Sequence, residues 1–207
     1  GSWEWRGKGA FSDQSYETLR CSMKGDYQIE NASLGLAALQ LLQADGFQIM
    51  DSHIREGLAA VHWPGRLEAF ALDRTGKTLH YLLDGAHNPA GVESLVQTLV
   101  KEYKYNSLIV IWGAMADKDL QATLAAVAGM ANTIILTKPV GERSADPALL
   151  LKNVAPEYRE KCNLEPTVEE AISKAENIAD TKDLIVIAGS LYLVGASRQI
   201  LLGELVV

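Results

Sequence analysis

The sequence predicts an α/β protein: a doubly wound, mostly parallel sheet over residues 63–207, preceded by a helical stretch that belongs to a different unit. Three observations carry this. Segments 107–112 (Ser-Leu-Ile-Val-Ile-Trp) and 183–188 (Asp-Leu-Ile-Val-Ile-Ala) are continuous apolar runs, the pattern of strands covered on both faces. Strand-like and helix-like segments alternate around them, and that alternation implies parallel pairing through right-handed crossovers. Trp63-Pro64-Gly65 breaks the periodicity ahead of the alternation and sets the boundary.

In chain order, Gly1-Ser2 reads as a cloning remnant. Residues 3–27, polar and punctuated by Gly7, Gly9 and Gly25, read as turns and short antiparallel strands. A helix begins at Asn31, its broad apolar face built from Leu34, Leu36, Ala37, Ala38, Leu41 and Leu42, and ends near Asp45-Gly46. A second helix opens at Asp51-Ser52, good N-cap residues, and carries Ile54, Leu58 and Val61. Past the boundary come strands at 67–72 and 78–83, then helix 91–104, strand 107–112, helix 119–129, strand 132–137, helices 146–153 and 167–179, strand 183–188 and helix 191–202.

Nearly half of the 207 residues (48%) are apolar, enough to build a core without staples. The net charge of −7, with no dense Lys/Arg cluster, argues against a general nucleic-acid surface or a polybasic membrane patch. Cys21 and Cys162 have neither metal nor redox spacing and read as reduced thiols of a cytoplasmic protein. No apolar run approaches the ~20 residues that span a bilayer. There is no G-x-x-x-x-G-K-[ST] and no G-x-G-x-x-G, so neither a P-loop nor a dinucleotide fingerprint is present.

The segment Leu83-Asp84-Gly85-Ala86-His87-Asn88-Pro89-Ala90-Gly91 leaves a strand and enters a helix, where an α/β sheet places ligand-binding groups. Asp84 and His87 there suit ribose positioning or acid–base work; the plainer alternative is a turn-capping Asp and a solvated His. Metal binding is the weakest reading, because two candidate ligands are too few and His53, His62 and His80 lack a helical partner motif. Arg66, between Gly65 and a strand start, has the planar fork that grips phosphate; the plainer alternatives are an exposed Arg at a domain junction or an ion pair with Glu68. Asn31, at a helix start, reads by itself as an N-cap. Gly113 to Asp119 and Lys138 to Arg143 follow further strands; Asp119 suits a helix cap, and the second loop could border the same edge. Ser190 sits at a helix N-terminus, where free N–H groups favour a carboxylate; it lacks the G-x-S-x-G setting of a nucleophile.

Five motifs in order resemble the carboxyl-terminal part of the folylpolyglutamate synthase/dihydrofolate synthase family, within the Mur ligase superfamily. They are Gln28-x-x-Asn31-Ala32, Trp63-Pro64-Gly65-Arg66-Leu67-Glu68, Leu83 to Gly91, Gly113 to Asp119, and Gly189-Ser190-Leu191-Tyr192-Leu193-Val194-Gly195. The resemblance implies a Rossmann-like C-terminal ligase domain over 63–207 and, over 1–62, the tail of the central ATP-binding domain. It implies ATP-dependent addition of L-glutamate to a folate, or also to dihydropteroate, through an acyl phosphate. Asn31, Arg66 and Asp84 match the family's ATP-contacting residues. His87 and Ser190 match catalytic-cleft residues near the acyl phosphate or the incoming glutamate. ATP and Mg²⁺ are the implied cofactors; the P-loop and metal ligands are expected in a preceding domain of the same protein, so this chain alone is expected to be inactive. A monomer is the family habit. The competing readings are a muramyl-peptide ligase piece and a stand-alone nucleotide- or amino-acid-binding module.

Overall fold

The computed structural model describes residues 2–8 and 14–203, so Gly1 and Gly9 lie outside the described residues. Contacts divide the chain into two compact units, residues 1–63 and 64–207.

In the first unit, β1 (Trp3–Arg6) and β2 (Ser15–Leu19) pair antiparallel, followed by α1 (Tyr27–Ala44) and α2 (Asp51–Ala60). Its small core is Trp5, Leu19, Leu36 and Ile54, with Tyr16, Leu39 and Leu58 packed around it. The buried Gln40 amide donates to the Tyr16 hydroxyl at 2.7 Å, giving a polar group in this core a partner. Three expectations are corrected here. Helix α1 begins at Tyr27, so Asn31 lies inside it and is not a cap. The N-cap position of α2 is Met50, and Asp51 is already helical. Of the expected apolar face of α1, Leu36 is buried, whereas Leu34 (72%) and Leu41 (57%) are exposed and Leu42 partly so. Apolar side chains surround this helix, and a stripe read by period alone cannot tell which side this unit covers.

In the second unit, β3 (Glu68–Arg74) and β4 (Lys77–Leu83) form an antiparallel hairpin. Its two-residue turn, Thr75-Gly76, has positive φ at both positions, the geometry that suits the twist of the strands. Then follow α3 (Pro89–Glu102), β5 (Leu108–Trp112), α4 (Leu120–Met130), β6 (Thr133–Thr137), α5 (Pro147–Asn153), a 3₁₀ turn (Pro156–Lys161), β7 (Cys162–Glu165), α6 (Val168–Ile178), β8 (Leu184–Ala188) and α7 (Leu191–Leu202). The six strands are ordered β3-β4-β8-β5-β6-β7, parallel except for the β3–β4 pair. The expected α/β sheet is present. The strand β7 was not anticipated: only one large apolar residue interrupts Cys162-Asn163-Leu164-Glu165, and as a half-exposed edge strand it needs no apolar run.

The apolar runs fill the sheet centre, where all five residues of β5 and of β8 are buried. Successive side chains alternate faces. Ile109, Ile111, Ile185 and Ile187 join Val168, Ile172, Leu193 and Leu201 in one core with α6 and α7. Helix α4 packs against both α3 and α5, and α6 against α7.

Candidate functional site

Four loops leave the carboxyl ends of four neighbouring strands: 84–88 after β4, 189–190 after β8, 113–119 after β5 and 138–146 after β6. The chain skips a place between β4 and β5, and β8 later fills it. Such a reversal of strand order is where an open α/β sheet leaves a crevice for ligands.

Short polar caps set these loops. The Asn88 carboxamide oxygen accepts from Gly91 N at 2.8 Å, with Pro89 as the first helical residue of α3. Asp119 accepts from Ala122 N at 3.0 Å and starts α4, as the sequence suggested. Ser190 Oγ accepts from Leu193 N at 3.0 Å and starts α7, while Ser190 itself is buried. Gly189 has φ +112°, and a Cβ there would stand 2.7 Å from the Gly113 carbonyl oxygen and 2.9 Å from the Trp112 ring. Only glycine lets β8 turn into α7 so closely beside β5.

Asp84 is 3% exposed. One carboxylate oxygen accepts from Ala86 N at 2.8 Å and the other from Leu67 N at 3.0 Å. Burial pushes its carboxyl above the ordinary range; the two N–H bonds and the Arg66 charge act in the opposite direction. Asp84 thus caps its own turn, as the plainer reading held, and also grips a backbone seventeen residues away. Its charge reaches Tyr103, whose hydroxyl is pushed up to about 12 by burial, Glu102 and Asp84. Arg66 does not pair with Glu68, because Glu68 is taken by Arg198 from α7.

His87 is half-buried, and its Nδ1 lies 2.8 Å from the Gly85 carbonyl oxygen. A carbonyl only accepts, so Nδ1 carries a proton in this contact, and in the neutral ring Nε2 is the nitrogen left with a lone pair. His87 and Ser190 line one cavity of about 160 Å³ with Met115, Lys118, Arg143 and Tyr192. Lys118 comes from the capped turn after β5 and Arg143 from the loop after β6 that could border the same edge. Arg143 is 69% exposed and 3.7 Å from Asp117, a loose pair that leaves its charge available.

The structure therefore brings Arg66, Asp84, His87 and Ser190 to loops of the second unit. Asn31 lies in the first unit, exposed on α1, its amide donating to Gln28 Oε1 at 3.2 Å. Among the described residues no group of three or more His, Cys, Asp and Glu could hold a metal ion. Both cysteines are free, and no helix among the described residues is long and apolar enough to cross a membrane.

Comparison with known proteins agrees with this geometry. Residues 65–191 match the family described as "Mur ligase, glutamate ligase domain". The chain is 32% identical over 203 residues to the folylpolyglutamate synthase of Lacticaseibacillus casei, covering 96% of this chain and 44% of that protein. It is 30% identical to the dihydrofolate synthase/folylpolyglutamate synthase of Mycobacterium tuberculosis, covering 89% of this chain and 40% of that one. The solved structure of Mycobacterium tuberculosis folylpolyglutamate synthase complexed with ADP superposes with a TM-score of 0.78 at 28% identity, over 92% of this chain and 43% of that chain. The chain thus spans less than half the length of these relatives. By the family match and by the arrangement of its sheet and loops, it belongs to the glutamate-ligase domain family of the Mur ligases.

Proposed function

We propose that this chain is the carboxyl-terminal part of an ATP-dependent folate ligase that joins L-glutamate to a reduced folate, in the cytoplasm. The observation that carries the reading is the cavity shared by His87, Ser190, Lys118 and Arg143. Two cations, one of them loosely paired with Asp117 in the same lining, and a helix N-terminus suit a small dicarboxylate amino acid, and a histidine whose neutral ring leaves Nε2 unprotonated suits an amine that must lose a proton.

In the proposed reaction the γ-phosphoryl group of ATP passes to a folate carboxylate oxygen, giving an acyl phosphate and ADP. The glutamate amine then attacks the acyl carbon. The C–N bond forms, the C–O bond to phosphate breaks, and inorganic phosphate leaves. The ammonium form of glutamate must first give up a proton, and His87 Nε2 is the acceptor this chain offers. Lys118 and Arg143 neutralise the glutamate carboxylates, while the α7 N-terminus at Ser190 adds its dipole. Arg66 neutralises charge on the phosphates, because phosphoryl transfer depends on positioning and charge compensation. Asp84 holds the turn that presents Arg66. Asn31 is assigned to the nucleotide by resemblance alone. The described residues do not fit a Mg²⁺ site, so no step is assigned to a metal here; the metal ligands and P-loop belong to a preceding domain of the same protein.

The test is a kinetic split in the intact parent enzyme. Arg66→Ala raises the KM for ATP, and His87→Ala lowers kcat more than it changes the KM for ATP. Unchanged ATP kinetics in Arg66→Ala would remove that residue from the site. An effect of His87→Ala confined to the KM for ATP would move His87 to the nucleotide side.

A further inference from the structure

Arg66 sits in a turn whose backbone is held in part by residues far away in the sequence. Gly65 has φ +72° and Leu67, a buried leucine, has φ +46°. Leucine occupies that region only where its surroundings impose it. The backbone on both sides of Arg66 is bonded outward: Gly65 N donates to Glu68 Oε2 at 2.8 Å, Gly65 O accepts from Gly85 N at 2.9 Å, and Leu67 N donates to Asp84. A Cβ on Gly65 would stand 2.6 Å from Val194 Cγ1, so the turn also lies directly on α7.

Glu68 is itself fixed from far away in the sequence. Arg198 Nε donates to its Oε2 and Arg198 Nη2 to its Oε1, both at 2.8 Å. The two side chains are only 5% and 11% exposed. A two-pronged guanidinium–carboxylate pair fixes orientation as well as distance. Buried pairs often add little to stability compared with apolar packing, so retaining one here fits a geometric role better than an energetic one.

We infer that Glu68 and Arg198 are positioning residues. They hold the Arg66 turn in fixed register with α7, the helix that Ser190 caps beside the cavity. The phosphate-facing arginine and the cavity are thereby set by one rigid piece. Neither Glu68 nor Arg198 is required to touch a ligand. The link to catalysis rests on the ligase reading above; the clamp itself does not.

The test therefore has two arms. In the full chain, amide hydrogen exchange is compared between wild type, Glu68→Gln and the milder Arg198→Lys, whose ammonium cannot grip both oxygens. Exchange at Gly65, Leu67 and Gly85 accelerates by roughly tenfold or more, whereas Ile109 and Val186 in the sheet keep their protection. Unchanged exchange at the three turn amides in both variants would overturn the clamp. In the parent enzyme, Glu68→Gln raises the KM for ATP by about fivefold, leaves the KM for glutamate unchanged, and adds nothing to Arg66→Ala. Effects that multiply in the double variant mean that Glu68 does not act through Arg66, which also overturns the inference. A parent without folate-dependent turnover would refute the ligase reading, and amide exchange would still decide the clamp.

Discussion

Replacing Asp84 separates its two roles. Burial is the largest influence on its titration and raises its pKa, even though both oxygens accept N–H bonds that act the other way. A carboxyl whose folded pKa is raised binds more protons when folded than unfolded between the two pKa values. Its contribution to stability is complete below the ordinary value near 3.8 and falls as pH rises through the raised value. Asp84→Asn is neutral at every pH. The stability of wild type minus Asp84→Asn should therefore decline from pH 4 upward, on top of a pH-independent cost of about 1–3 kcal/mol, because the Asn amide offers one acceptor to the two N–H groups of Leu67 and Ala86. Asp84→Ala differs, because it leaves the N–H groups of Leu67 and Ala86 without their acceptor at a site almost closed to water. Each unmet buried donor costs on the order of 1–3 kcal/mol, so Ala should be less stable than Asn by at least about that much. Urea unfolding of the full chain at several pH values measures all three. A difference between wild type and Asn that grows with pH would show that the two N–H bonds outweigh burial, and would refute the reasoning.

Substitutions at two further positions test the entry into α7. Ser190→Ala removes the acceptor for Leu193 N and should cost about 0.5–2 kcal/mol in urea unfolding; Ser190→Asn, another capping residue, should recover most of it. Gly189→Ala places a Cβ 2.7 Å from the Gly113 carbonyl at a φ of +112°, and should cost at least ~1–3 kcal/mol with a lowered Tm. A variant as stable as wild type would show that the β8–α7 turn has room to shift.

What could be read in the sequence, and what could not, divides along the range of the interactions. The runs Leu108–Trp112 and Leu184–Ala188 were legible because burial on both faces removes polar residues from a strand. Asp119 and Ser190 announced helix starts because capping is a contact within three residues. The start of α1 was misplaced because Asp26 makes no side-chain cap there, and Asn31 looked like the better cap. The edge strand β7 carries no apolar run, and periodicity could not reveal that Leu34 and Leu41 face outward. At the site, the loops were recognisable from chain order. The grip of Asp84 on Leu67 was not, and neither was the pairing of Glu68 with an arginine 130 residues away in place of the adjacent Arg66. Arg143 and Lys118 looked like ordinary loop charges until the parallel order of β5 and β6 set their loops beside His87 and Ser190.

The central claim is tested most directly by phosphate release from the intact parent protein with Mg-ATP and glutamate, supplying reduced folate in one reaction and a UDP-muramyl-peptide acceptor in another. Release that requires folate and glutamate together is the predicted result. Release only with the muramyl acceptor would leave the fold and family standing and overturn the substrate. Release with neither would contradict the ligase account and favour a stand-alone binding module.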